Sequence, residues 1–173
     1  MAVSTEYLNK IVRAVRRNAS EDVDAELNDI IEECRLDLQR LGILKDKAED
    51  ETDSLILGAV RSFARWKFGL SNEDAEANRD DYMMMRDEIR RSKNYVYCAI
   101  TFTVKDGATA KADAYVTFNG ETKQTDANGQ TVFYYVNTGV NQAYSVRLTG
   151  YTTVSAYIDV ATDATIAVAL TAG

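Results

Sequence analysis

Asp53-Ser-Leu-Ile-Leu-Gly-Ala-Val-Arg-Ser-Phe-Ala-Arg-Trp-Lys-Phe-Gly69 is the most apolar helical pattern in the chain and holds its only tryptophan, Trp66. Ile56, Ala59, Val60, Phe63 and Ala64 recur at three- and four-residue spacing, which places them on one face of a helix. Leu55, Leu57, Trp66 and Phe68 widen the apolar arc well beyond that face. A helix apolar over most of its circumference is surrounded by other elements or by a partner chain. Arg61, Arg65 and Lys67 mark the side that must still reach water or a carboxylate.

Three more helical patterns stand around this one. Helix one spans about Ser4 to Arg17, with Leu8, Ile11, Val12 and Val15 inward and Arg16 and Arg17 at its negative end. Helix two begins near Asn18, whose spacing to Glu21 is that of a capping box. Its face is Val23, Leu27, Ile30, Ile31, Cys34, Leu38 and Leu41, and Gly42 supplies a left-handed cap. A polar loop, Lys45 to Thr52, leads into the central helix. Helix four starts at Ser71-Asn-Glu-Asp74 and ends at Arg90, Arg91 and Lys93, acids first and bases last, as the helix dipole favours. Tyr82, Met85 and Ile89 face inward at helical spacing.

From Val96 the period changes from 3.6 to 2. Val96, Cys98, Ile100, Phe102 and Val104 alternate with polar or small residues before an Asp106-Gly107 turn. Six further strand signals follow: 114–118, 121–125, 132–136, 144–148, 154–160 and 166–170, punctuated by Asn119-Gly120, Asn128-Gly129 and Thr149-Gly150. Seven short strands without a helical pattern predict a small antiparallel β-sandwich. Composition shifts at the same place. Residues 1–95 hold 16 of the 20 Lys/Arg and 21 of the 27 Asp/Glu, while seven of the ten tyrosines lie beyond. The expectation is two domains, residues 1–94 and 95–173, meeting near Arg91-Ser-Lys-Asn94.

Several function classes are disfavoured. A net charge of −7 argues against gripping nucleic-acid phosphates. Histidine is absent, which removes the commonest metal ligand and general base, and no nucleophile–base set is visible, so no enzymatic activity and no cofactor are expected. No run approaches the ~20 apolar residues of a membrane span, and the first residues lack the pattern of a secretory signal. Cys34 and Cys98 sit in apolar faces and read as buried thiols.

The order of helical signals in residues 4–95 resembles the head–tail connector (adaptor) proteins of long-tailed bacteriophages. The residues that carry it are the short basic helix Leu8 to Arg17 and the acid-led helix ending in Leu41-Gly-Ile43. They continue with Phe63-Ala-Arg-Trp-Lys-Phe-Gly69, the acidic turn Asn72-Glu-Asp-Ala75, Tyr82, and the closing Ser92-Lys-Asn-Tyr95. The resemblance implies a four-helix domain with a structural role in the virion, in the neck between capsid and tail, after synthesis in the host cytoplasm. It implies a ring of copies, dodecameric in the virion, beneath the portal protein. That ring extends the channel through which genomic DNA passes without sequence-specific binding, and docks the next neck or tail-completion protein. Minimal connectors end near the position of Tyr95, so the β-rich half is a departure from them. That half resembles carboxypeptidase-regulatory-like and bacterial immunoglobulin-like sandwiches at Ala114-Tyr-Val116, Thr125-Asp-Ala-Asn-Gly129 with Phe133, Tyr144-Ser-Val146 and Gly150-Tyr151. It implies an Ig-like fold far better than a function. The alternative reading is a phage or bacterial surface module whose sandwich contacts glycans or proteins.

The residues expected at a subunit or portal contact are Arg65, Trp66, Lys67 and Phe68, left over from the central helix, and the basic patch Arg86, Arg90, Arg91 and Lys93. Other features read as structural. Asp126, Asn128 and Gly129 form a hairpin turn rather than a calcium loop, which needs more ligands and a glutamate at its twelfth position. The acidic run Asp46, Glu49, Asp50, Glu51 and Asp53 is a loop whose last residues cap the central helix. Lys105, beside a turn, is a poor place for an isopeptide crosslink. No metal site is expected.

Overall fold

The computed structural model describes residues 2–16, 20–68 and 74–173. The chain divides into two compact units, the first ending at Tyr95 and the second beginning at Val96. The described residues form six helices and eight strands. No helix among them is long and apolar enough to cross a membrane.

The helical unit contains α1 (Thr5–Ala14), α2 (Glu21–Arg40), α3 (Lys45–Ala48), α4 (Ser54–Lys67) and α5 (Ala75–Arg91), and α6 (Lys93–Val96) carries the chain out of it. The opening stretch is α4. Asp53 caps it, its Oδ1 accepting from Leu55 N at 2.8 Å and Ile56 N at 3.0 Å, which satisfies two donors that the first turn leaves unpaired. Ile56, Ala59, Val60, Phe63 and Ala64 are all buried, whereas Leu55, Leu57, Trp66 and Phe68 are half-buried. α4 packs against α1, α2 and α5. Each large side chain buried in this way stabilises the unit by about 1.5–3 kcal/mol.

Six helices replace the expected four because two single turns occur where loops were expected. The polar stretch after Leu44 winds into α3, where Ala48 is buried and Leu44 N is held by the carbonyl of Tyr95 at 2.8 Å. Val96 ends α6 rather than opening a strand. The cap of α2 is Ser20, whose hydroxyl accepts from Val23 N, in place of the expected Asn18. Asn18, Arg17, Gly69 and the expected helix start Ser71-Asn72-Glu73 lie outside the described residues. Gly42 follows α2 with a φ of 91°, the left-handed conformation expected of it. In α1 the buried residues are Tyr7, Ile11, Val12 and Ala14, while Leu8 and Val15 are only half-buried.

The second unit has β1 (Cys98–Asp106), β2 (Thr109–Ala110), β3 (Tyr115–Phe118), β4 (Glu121–Gln124), β5 (Gln130–Val136), β6 (Gly139–Arg147), β7 (Val154–Val160) and β8 (Ala164–Ala169). They form two four-stranded sheets. In one, β1 pairs with β2 and β5 along one edge and with β8 along the other; the second runs β4-β3-β6-β7. The alternation of β1 buries Cys98, Ile100, Phe102 and Val104 on one face. Phe102 meets Phe118 and Tyr144 of the other sheet with ring centroids 5.4 and 5.1 Å apart, so the sheets enclose a shared aromatic core.

Two sequence expectations need correction here. There are eight strands, because residues 109–110 pair with the end of β1 at the Asp106-Gly107 turn. The unit is also not wholly antiparallel: β8 runs parallel to β1, Ile100 opposite Ala164 through Lys105 opposite Ala169. β7 belongs to the other sheet, so the chain crosses between sheets before β8 and is not bound to the antiparallel return of a hairpin.

Candidate functional site

Three clusters in the helical unit bring charged side chains together. The first surrounds Arg35, which lies on the apolar face of α2 and is only 2% exposed. Its Nη1 donates to Glu32 Oε1 at 2.7 Å and its Nη2 to Glu51 Oε1 at 3.0 Å, and its guanidinium lies 5.8 Å from the centroid of the Tyr7 ring. Glu51 also accepts from Ser4 N at 3.1 Å, which ties the start of α1 to the loop before α4. Partial burial works against the Glu51 charge, but the hydrogen bonds from Ser4 and Arg35 outweigh it and hold the carboxyl below its usual range. Arg35 was not among the sequence-derived site residues. The available signal was a charge at position 35 inside the stripe Leu27, Ile31, Cys34, Leu38.

The second cluster is aromatic. Trp66 stands edge-on to Phe63 at 5.5 Å and stacks on Tyr82 of α5 at 6.2 Å. Lys67 lies over the indole, its Nζ 4.6 Å from the ring centroid, and pairs with Glu33 of α2 at 3.1 Å. Tyr82 donates to Asp37 Oδ2 at 2.6 Å, and Arg86 Nη1 reaches the same oxygen at 3.4 Å. Burial raises the pKa of Tyr82 and of the neighbouring Cys34 thiol well above their ordinary values, so both stay protonated at neutral pH. Of the eight expected contact residues, Trp66, Lys67 and Arg86 therefore meet around Tyr82 through contacts within the chain. Phe68 is half-buried at the end of α4, while Arg90, Arg91 and Lys93 are exposed about one turn or more beyond Arg86.

Arg65 belongs to a third place. Its Nε donates to the carbonyl of Ala14 at 3.0 Å, satisfying an acceptor at the C-terminal end of α1. Here α1 and α4 border an open cleft of about 250 Å³ lined by Lys10, Arg13, Ala14, Arg61 and Arg65. Lys10 is paired with Glu6 of its own helix at 2.9 Å. Arg61 makes no ion pair among the described residues, and its Nε is buried without a hydrogen-bond partner. Four cations thus converge on one cleft of a net-acidic unit. Arg61 and Arg65 lie one turn apart on α4, which sequence spacing made visible, but the approach of Lys10 and Arg13 from α1 depends on tertiary packing.

The acidic loop resolves into structural roles. Asp50 Oδ1 accepts from the backbone and hydroxyl of Thr52, and Asp53 Oδ2 accepts from the Tyr95 hydroxyl at 2.7 Å. In the β unit, Asp126 Oδ1 accepts from Asn128 N and Gln130 N, the hydrogen bonding of an Asx turn. No group of three or more His, Cys, Asp or Glu residues suited to a metal occurs among the described residues. Cys34 and Cys98 are buried free thiols, and Lys105 is exposed. Tyr115 and Tyr157 stand exposed on the outer face of the second sheet, opposite Arg147 and Ala143 of β6. Tyr134 and Tyr135 are exposed on β5.

The sequence matches no known protein family and no curated protein. Among solved structures, one similar chain comes from a type II cohesin–X-dockerin complex of Acetivibrio cellulolyticus, an N-terminal interface mutant. It is 18% identical, with a TM-score of 0.37, over 44% of this chain and 58% of that one.

Proposed function

We propose that the chain is a structural head–tail connector of a tailed bacteriophage, a four-helix connector domain that carries an Ig-like sandwich. The observation behind this reading is the arrangement of the helical unit: α4 is the common packing partner of α1, α2 and α5. It keeps the half-buried Trp66 and Phe68 at its end, and these follow the helix order and aromatic positions on which the connector resemblance rests. In this reading copies of the chain form a ring under the portal, the ring extends the DNA channel, and the β unit meets a neck or tail protein. An acidic lining lets DNA slide rather than adhere. Mass photometry of the purified chain, alone and mixed with portal, tests the proposal. A ring-sized assembly is expected, and a strict monomer that ignores portal sinks it.

A second reading has its own observation, the exposed Tyr115, Tyr134, Tyr135 and Tyr157 of the β unit. Tyrosine offers an apolar face and a polar tip, which suits stacking on sugars or packing against a protein. Binding of the full chain to a glycan array, lost on replacing Tyr115 and Tyr157 by serine, would favour a surface-binding module over a connector.

A further inference from the structure

Within the chain, the cleft between α1 and α4 is bridged at Arg65, which donates to the carbonyl of Ala14. Ion pairing within the unit occupies Arg35, Lys67 and Arg86, whereas Arg13 and Arg61 pair with no acid among the described residues. Among the described residues, Arg61 Nε is buried without a hydrogen-bond partner, as is Arg86 Nε, but Arg86 has Asp37 as an ion-pair partner and Arg61 has none. The donors of the cleft, Lys10 Nζ and three guanidinium groups, suit an oxyanion, and arginine's fork matches a carboxylate.

A complementary surface exists on the same unit. Asp22, Glu26, Asp29 and Glu33 of α2 follow each other at spacings of four, three and four residues, which puts them on one helix face. All four are exposed. Only Glu33 is engaged in an ion pair, with Lys67, while Asp22, Glu26 and Asp29 have none among the described residues. Exposed Leu36 continues the stripe three residues on and adds an apolar contact point.

We infer that the cleft lined by Lys10, Arg13, Arg61 and Arg65 receives the carboxylates of Asp22, Glu26 and Asp29 from a second copy of this chain. This rests on the ring reading above and names the contact that would build the ring. The cleft lies between α1 and α4 and the stripe on the solvent face of α2, so the contact joins two different surfaces. Such heterologous contacts repeat head to tail and give a ring where the rotation between copies closes. Carboxylates are favoured over nucleic-acid phosphates because α2 of a neighbouring copy presents three separate carboxylates at fixed helical spacing, each a match for a guanidinium fork. The contact is electrostatic, so it weakens as salt shortens the screening length from about 14 Å at about 50 mM to about 4 Å at about 500 mM.

Sedimentation velocity on the full chain tests this with two exposed-site variants, Arg13→Glu for the cleft and Glu26→Lys/Asp29→Lys for the stripe, and with Arg61→Glu as the stronger cleft change. The Trp66 fluorescence melt first establishes that each variant is folded. The wild type is expected to assemble, and each variant to associate at least ~10-fold more weakly. Mixing the cleft variant with the stripe variant should then restore association, since the intact stripe of one meets the intact cleft of the other. Wild-type rings with unaltered assembly of the folded variants would overturn this contact and leave the ring reading standing. A wild type that is monomeric at high concentration would overturn both. DNA binding that is lost in Arg13→Glu, with assembly unchanged, would assign the cleft to phosphates and overturn the carboxylate inference.

Discussion

Replacing Arg35 by alanine should be among the most destabilising single changes in the helical unit. The wild-type side chain is 2% exposed, bridges Glu32 and Glu51, and lies against Tyr7. Removing one member of a buried ion pair costs about 3–5 kcal/mol, because the partner is left desolvated without compensation. The two acids differ in how far water can relieve them. Glu32 is 46% exposed and rehydrates readily, so its pair contributes little. Glu51 is only 22% exposed and would keep a single donor, Ser4 N. These limits place the loss near the low end, about 3 kcal/mol, which for a unit of this size lowers the melting temperature by roughly 12–24 °C. Arg35→Met retains most of the stem volume and should cost less, about 2 kcal/mol, the difference reporting packing around the stem. Trp66 is the only tryptophan, so urea unfolding followed by its emission reads the helical unit specifically. A loss below about 1 kcal/mol in Arg35→Ala, or equal losses in the two variants, would refute the argument.

Glu51 gives the same network a pH signature. Its folded pKa lies below the ordinary value of 4.5, so its stabilisation is complete above pH 4.5 and is lost as pH falls through the depressed value. Acid unfolding of Glu51→Gln, followed by Trp66 emission, should therefore show a shallower loss of stability below pH 4.5 than the wild type. Trp66→Ala should cost about 2 kcal/mol by circular dichroism, less than a fully buried tryptophan, because the ring is half-buried under Lys67. An unchanged melt would mean that its contacts with Phe63 and Tyr82 do not stabilise the fold. Gly129→Ala should destabilise the β unit by about 2–4 kcal/mol. Gly129 has a φ of 71°, and an added Cβ would fall 2.5 Å from the Val104 carbonyl and 2.9 Å from Lys111 N, both backbone atoms that cannot swing aside. Hydrogen exchange in β1 and β5 would detect the loss, and unaltered protection would contradict it. Native alkylation should spare Cys34 and Cys98, which are buried, and Cys34 is further protected by the raised pKa that keeps it a thiol. Rapid labelling of either thiol in the folded chain would count against this burial.

Sequence periodicity carried the long elements because each is held by local pattern and burial together. The apolar face of α4 and the alternation of β1 are cases where one period covers most of an element. It failed where tertiary contacts decide. The turn α3 is polar by composition, but Ala48 is buried and Leu44 is held by Tyr95, about fifty residues away. The parallel course of β8 depends on a crossover between sheets, which no local pattern encodes. The site residues divide in the same way. Trp66 was visible as an excess of apolar surface on α4, whereas the Tyr82–Asp37–Arg86 group joins two helices separated by more than forty positions.

Formal charge is a poor guide to what this unit offers a partner, because much of it is consumed internally. Lys67 and Arg86 stood out in the sequence as an exposed basic surface, yet Glu33 and Asp37 of α2 answer them, leaving their residual charge small. Arg35, which the sequence hides in an apolar stripe, is fully committed to the monomer. What distinguishes the α1–α4 cleft is that four cations line it while Arg13 and Arg61 form no ion pair among the described residues, although Lys10 pairs with Glu6 and Arg65 donates to the carbonyl of Ala14. An isolated exposed arginine is well served by water, whereas several cations held at one cleft repel each other and raise the monomer's energy. An incoming carboxylate offsets that positive charge. The gain appears only on contact, so it favours assembly rather than folding. That separation explains why charge reversal at Arg13 should leave the monomer intact while weakening its association with another copy.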